Sequence, residues 1–153
     1  MPQSHIDYTD KEILKTLLED ARIPYLDIAK KLKVSNSLVH QRIKKMKEKG
    51  IISGSVISLD PKQLGYLSCA YTGIVLKEAK YCEEVAKKLE EVPEVVECHY
   101  VSGKYALFVK LFAFDNDHMR IVLYEKLHQI DGVTGTDTFM SFKTYFDREV
   151  GIM

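Results

Sequence analysis

The sequence predicts an α+β protein in two parts, a helical N-terminal domain followed by a domain in which strands and helices alternate in the order βαββαβ. Three observations predict it. Apolar residues recur at helical spacing up to about Gly65, and in strand and helix patterns by turns beyond it. Asp60-Pro61 and Gly65 punctuate the join. Charge divides at the same place: residues 1–65 hold 12 basic and 8 acidic side chains, net +4, which leaves 10 basic and 14 acidic, net −4, in residues 66–153.

The balance of 22 Lys+Arg against 22 Asp+Glu is therefore an average over two unlike halves, and it does not exclude a nucleic-acid partner. A chain of 153 residues with 46% hydrophobic and 29% charged side chains is long enough for two small cores and too apolar for wholesale disorder. The reading is a domain over residues 1–52, a linker over 53–65 and a second domain over 66–153.

The first helix is predicted to begin at Thr9, with Glu12 completing a capping box and Tyr8 and Ile13 as the apolar staple. Ile13, Leu14, Leu17 and Leu18 form its apolar face. A short second helix runs from about Pro24 to Leu32 and buries Ile28, Ala29 and Leu32. After the break Lys33-Val34-Ser35 comes a third helix, capped by Ser35, stapled by Val34 and Val39, and stopped by Gly50. Its Val39, Ile43 and Met46 face inward. Ser37, Gln41, Lys44, Lys45 and Glu48 face outward, with Asn36 and His40 near the N-terminal flank.

Beyond Gly65 the pattern reads strand (67–76), helix (81–91, apolar at Cys82, Val85, Ala86 and Leu89), strand (95–101) and a turn at Ser102-Gly103-Lys104. Strand (105–114), helix (117–129, apolar at Met119, Val122, Leu123 and Leu127) and strand (133–145) follow. This order is that of the ferredoxin-like split βαβ fold. Two helices cover one face of such a sheet, yet strand 105–114 is apolar on both sides, with Tyr105, Leu107, Val109 and Leu111 on one and Ala106, Phe108, Phe112 and Phe114 on the other. The second face is predicted to pack on another subunit, making the protein an oligomer.

Several functions are disfavoured. Cys69, Cys82 and Cys98 are odd in number and form no CxxC pair, which suits a reducing cytoplasm and suggests neither a disulfide framework nor a zinc site. The first seven residues lack the blocks of a signal peptide, and the most apolar stretch, 105–114, is short and interrupted by Lys110, so no membrane segment is expected. His5, His40, His99, His118 and His128 have no ligand spacing and read as surface or strand side chains. GxGxxG, P-loop and GxSxG motifs are absent, and Glu83-Glu84 and Glu90-Glu91 read as solvated helix faces. No enzyme, metal or cofactor is expected.

A short helix, a three-residue turn and a capped third helix make a helix-turn-helix candidate, whose third helix would enter the major groove of double-stranded DNA. Asn36, Ser37, His40 and Gln41 can donate to and accept from base edges, while Arg42, Lys44, Lys45 and Lys47 sit where phosphates would be met, and Lys33 and Ser35 complete the expected DNA-binding set. Residues 33–49 carry six basic side chains and one acidic one, a net +5 that a merely solubilising face would dilute with acids. In the second domain, the turn at Gly103 serves either as a plain hairpin or as a ligand-facing loop, and Thr134, Thr136 and Thr138 share one strand face.

In their order and spacing over both domains, these residues resemble the Lrp/AsnC family of prokaryotic feast/famine regulators. The marks are Ile6-Asp7, Asp10, Ile13-Leu14, Ala21-Arg22, Ile28-Ala29-Lys30, Val34-Ser35 and Arg42-Ile43-Lys44-Lys45-Met46. They continue through Gly50-Ile51-Ile52-Ser53-Gly54, Asp60-Pro61-Lys62-Gln63-Leu64-Gly65, Gly103-x-Tyr105, Asp131-Gly132-Val133 and Thr136-x-Thr138. The resemblance implies a winged-helix-like DNA-binding domain, a linker strand over residues 53–59, and an effector domain that forms dimers and tetramers of dimers. It implies an amino-acid effector between dimers, held by Tyr100, Ser102, Gly103, Tyr105 and Ala106 of the hairpin and by Thr134, Thr136 and Asp137 of a neighbouring subunit. Leucine-responsive members carry Gly-Asp-Tyr-Asp where this chain has Gly103-Lys104-Tyr105-Ala106, and Lys45-Met46-Lys47 with Ala79-Lys80 looks closer to the asparagine-responsive branch. Asparagine is therefore the first effector the resemblance suggests, in a cytoplasmic, nucleoid-associated regulator. The other readings are a DNA-compacting architectural protein without effector and an amino-acid-sensing partner of a metabolic enzyme.

Overall fold

The computed structural model of the protein describes residues 6–152. His5 lies outside the described residues. The chain divides into two compact units, Met1–Ser58 with Arg148–Met153, and Leu59–Asp147.

The first unit holds α1 (Tyr8–Glu19), α2 (Tyr25–Leu32) and α3 (Asn36–Glu48) around a core of Ile13, Ile28, Ala29, Val39, Ile43 and Met46. The start of α1 differs from the sequence expectation. Asp7, not Thr9, is the N-cap: its side chain accepts from the Asp10 N–H at 2.9 Å, and the Asp10 carboxylate accepts from the Asp7 N–H at 3.2 Å. A carboxylate is as good an N-cap as a hydroxyl and also suits the positive end of the helix, so the earlier acid wins. The inner face of α1 shifts accordingly: Leu18 is 53% exposed, while Thr16 is buried and donates its hydroxyl to the Glu12 carbonyl at 2.9 Å.

Pro24 stands at the N-cap of α2 rather than within its first turn. The chain leaves α2 through Lys33, whose φ of 56° is the left-handed conformation that lets the next two residues reach α3. Ser35 caps α3, its hydroxyl accepting from the Leu38 N–H at 3.2 Å. Residues 53–58 form no strand, contrary to the expected linker strand, and among the described residues the unit has no strand at all. An extended segment needs a partner for its N–H and C=O groups, and none is offered to this one within its unit.

The second unit carries β1 (Ser68–Leu76), α4 (Cys82–Glu90), β2 (Val95–Tyr100), β3 (Leu107–Ala113), α5 (Asn116–Ile121) and β4 (Val133–Ser141). A single 3₁₀ turn, Ala79–Tyr81, precedes α4, and α5 runs on into a π-helical turn, Val122–Leu127. The sheet is antiparallel in the order β2-β3-β1-β4, the split βαβ arrangement. Ala70, Ile74, Leu107, Val109, Leu111 and Ala113 of the sheet pack against Val85, Leu89, Met119, Val122 and Leu127 of the helices.

Two strands are shorter than the sequence suggests. β3 begins at Leu107 because residues 101–106 close the hairpin, with the Val101 N–H bonded to the Ala106 carbonyl at 3.1 Å. β4 ends at Ser141, where its register with Cys69 near the start of β1 runs out, leaving Phe142, Tyr145 and Phe146 exposed.

The uncovered face of the sheet bears Cys69, Tyr71 and Val75 of β1, Phe108, Lys110 and Phe112 of β3, and Phe139 of β4. Lys110 lies among these apolar groups only 14% exposed, neutralised by Glu97 of β2 at 2.9 Å. That hydrogen bond raises the Lys110 pKa and lowers that of Glu97.

Candidate nucleic-acid interface and effector site

α3 presents the surface that its sequence dictates. Val39, Ile43 and Met46 are buried, and Asn36, Ser37, His40, Gln41, Lys44 and Lys45 are exposed. Among the described residues, Lys33, Lys45, Lys47 and Lys49 make no salt bridge, so their charge faces solvent, whereas Lys44 lies 3.9 Å from Glu48. Ser35 is occupied: its hydroxyl caps the helix and lies 3.1 Å from that of Ser37.

Two predicted contacts are engaged inside the unit. Arg42 is turned toward α1, where its Nη1 donates to Asp7 and, at 3.3 Å, to both oxygens of Asp10. Asp10 is 7% exposed, and a carboxylate buried so far needs a cation, which Arg42, expected from the sequence to face phosphate, supplies. The Asp7 pKa is lowered, chiefly by the Asp10 backbone N–H and then by the Arg42 guanidinium. His40 remains exposed, but its ring meets that of Tyr25 edge-on at 4.7 Å, which ties the start of the α3 outer face to α2. Nothing in the sequence pattern marks Tyr25 for this part.

In the second unit the hairpin carries Tyr100, Ser102, Gly103, Tyr105 and Ala106. Gly103 has φ +115°, a conformation that a residue with a Cβ resists, and its surroundings are open. The Ser102, Gly103 and Lys104 amides take no part in the backbone bonds that close the hairpin. Tyr105 folds back across β1 to β4. It can do so because Gly73 has no side chain: a Cβ there would lie 2.5 Å from the Tyr105 ring. The Tyr105 hydroxyl donates to Asp137 Oδ2 at 2.9 Å, and Lys104 Nζ donates to the same oxygen at 2.5 Å. These bonds, that from Lys104 above all, lower the Asp137 pKa and raise that of Lys104.

Thr136 is elsewhere. Asp137 pairs with Gly73 on the uncovered face, so its neighbour Thr136 points to the helix side, where its Oγ1 lies 2.6 Å from His128 Nε2. A cavity of about 410 Å³ opens there between α5, its π-helical extension and β4, lined among others by Asn116, Arg120, Tyr124, His128 and Thr136. Thr134 uses its hydroxyl on the Val75 carbonyl at 3.2 Å. One chain thus brings Tyr105 and Asp137 together and keeps Thr136 on the opposite face. Sequence reading missed Arg120, His128 and the close approach at Gly73, although a glycine inside an apolar strand is a signal for such an approach.

Comparison with known proteins agrees with this two-part architecture. Residues 6–53 match the family described as winged helix-turn-helix DNA-binding, and residues 69–150 match the Lrp/AsnC ligand binding domain. The chain is 40% identical to the regulatory protein AsnC of Haemophilus influenzae over 146 residues, 95% of this chain and 97% of that one. It is 41% identical to the HTH-type transcriptional regulator LrpA of Pyrococcus horikoshii over 129 residues, 84% of this chain and 91% of that one. The solved structure of E. coli AsnC superposes with a TM-score of 0.92 at 37% identity, covering 96% of this chain and 99% of that chain. The protein therefore belongs to the Lrp/AsnC family, a transcriptional regulator in which a helix-turn-helix DNA-binding domain is joined to a ligand-binding domain.

Proposed function

We propose that α3 reads base edges through Asn36, Ser37, His40 and Gln41, while Lys33, Lys44 and Lys45 meet phosphates and Ser35 acts by capping. The observation that carries this is the complete separation of α3 into a buried apolar side and an exposed side of amides, hydroxyls and cations. Two such helices in a dimer would read half-sites about one DNA turn, ~34 Å, apart. The uncovered sheet face supports homodimers, and tetramers of dimers would bring the hairpin of one dimer to the Thr136 face of another. That composite site takes a small amino acid, asparagine being the first to titrate, with N–H donors of residues 102–104 for its carboxylate and Asp137 for its ammonium. The protein acts in the cytoplasm, on the nucleoid. Gln41→Ala is expected to weaken binding to the specific operator about tenfold or more, with nonspecific DNA changed less than twofold, in fluorescence-anisotropy titrations at fixed salt. Equal losses on both DNAs would remove Gln41 from base reading.

A further inference from the structure

The side chains on the outer face of α3 differ in how far they are ordered before DNA arrives. Among the described residues, the Asn36 and Gln41 side chains make no hydrogen bond, and the Ser37 hydroxyl lies 3.1 Å from that of Ser35. His40 alone of the four is held by a neighbouring helix: its ring stands edge-to-face with that of Tyr25, centroids 4.7 Å apart and planes at 72°. The contact is between rings. Among the described residues neither His40 nitrogen has a hydrogen-bond partner, so both stay open to a base edge.

Tyr25 is itself well anchored. It is the first residue of α2, half-buried, and packs against the helical core. The Pro24 carbonyl just before it accepts from the N–H groups of Asp27 and Ile28 at 2.9 and 3.2 Å. The proline ring fixes the backbone on one side of Tyr25 and the helix fixes it on the other, and a tyrosine has few rotatable bonds of its own. An exposed side chain that its ligand must order gives up part of the binding free energy, whereas one ordered beforehand does not.

Resting on the base-reading role of α3, we propose that Tyr25 is a positioning residue for that reading: it acts by holding the His40 imidazole in one orientation on the outer face of α3. Loss of the Tyr25 ring frees His40, and discrimination between specific and nonspecific DNA falls. The phenol hydroxyl is dispensable for this.

The test uses the full chain and two DNA duplexes, one selected by the parent protein from a random-sequence pool and one with the same bases shuffled, in fluorescence-anisotropy titrations at fixed salt. Tyr25→Leu is expected to weaken binding to the selected duplex about three- to tenfold, the scale of immobilising one side chain, and to change the shuffled duplex less than about twofold. Tyr25→Phe keeps the ring and is expected to bind both duplexes as the parent does. In a His40→Ala background, Tyr25→Leu is expected to cost less than about twofold, since nothing is left to position. Thermal midpoints are read alongside, and Tyr25→Met, which keeps apolar bulk without a ring, replaces Tyr25→Leu if that variant does not fold. Equal losses on both duplexes, or a loss that persists without His40, would make Tyr25 merely structural and overturn the proposal. So would unchanged discrimination in the ringless variant, or a loss in Tyr25→Phe as large as in Tyr25→Leu. If His40→Ala left discrimination intact while Gln41→Ala lowered it, this proposal would fall and base reading by α3 would stand; if neither lowered it, both would fall.

Discussion

At the scale of single residues, Glu94 is a buried carboxylate of the second unit held by two partners. It is 90% removed from solvent, accepts from Lys126 at 2.6 Å and from His118 at 3.2 Å, and leaves Oε2 buried without a partner. His118 is fixed by its other nitrogen: Nδ1 accepts from the Phe114 N–H at 3.3 Å, so in the neutral ring the hydrogen sits on Nε2 and goes to Glu94. Burial pushes the Glu94 pKa up, but the hydrogen bonds from Lys126, its own backbone N–H and His118, with the Lys126 charge, outweigh it and the net shift is downward. A carboxyl group with a depressed folded pKa contributes stability above its unfolded value near 4.3, and loses it as pH falls through the folded value. Glu94→Gln should therefore lower stability at pH 7 by about 1–3 kcal/mol. In urea denaturation of the full chain the deficit should shrink as pH falls from 7 through the lowered folded pKa of Glu94, as the parent side chain takes up its proton. An equal deficit across that range would mean packing, not charge, is at stake.

At the scale of elements, Arg42 joins the middle of α3 to the first turn of α1, and on the proposed reading it orients the helix that meets DNA rather than adding to the charge that does. Phosphate contacts show themselves in the salt dependence of affinity, whereas an internal tether does not. Lys45→Gln should reduce the slope of log K against log salt by about one, and Arg42→Gln should leave that slope unchanged while lowering the stability of the helical unit by about 1–3 kcal/mol. Binding isotherms between 50 and 200 mM salt, about the range in which such slopes are read, decide it. A slope reduced equally by both would return Arg42 to the phosphate set. The helices themselves were legible because their signals are local: Ser35, Gly50 and the spacing of Val39, Ile43 and Met46 need no tertiary information. The choice of Asp7 over Thr9 as cap was less legible, since both offer an oxygen and only the half-buried cation of Arg42 favours the acid pair.

At the scale of the whole molecule, the proposed dimer would cover the open sheet face of the second unit. Phe139 is 55% exposed in the single chain and sits beside half-buried Tyr71, with which it is in register. Phe139→Glu would place a charge in that face, and light scattering should report a smaller assembly than the parent forms at the same micromolar concentration. Operator affinity should fall with it by about 10²-fold, because two weak reading heads become tight only when linked. A variant that keeps both the assembly and the affinity would show that this face is not the contact.

By itself, the amino-acid sequence determined the order of the elements, the charge split about Gly65, the polar side of α3 and the apolar excess of β3, all of them properties of residues close in the chain. The tertiary structure alone decided how distant groups are shared out. It gave Arg42 to Asp7 and Asp10, sent Tyr105 over Gly73 to Asp137, and set Thr136 on the other face with His128. The reason is physical: periodicity fixes which side of an element a residue occupies, but a buried charge takes whichever partner the packed chain brings within a few ångströms, and sequence spacing does not encode that distance.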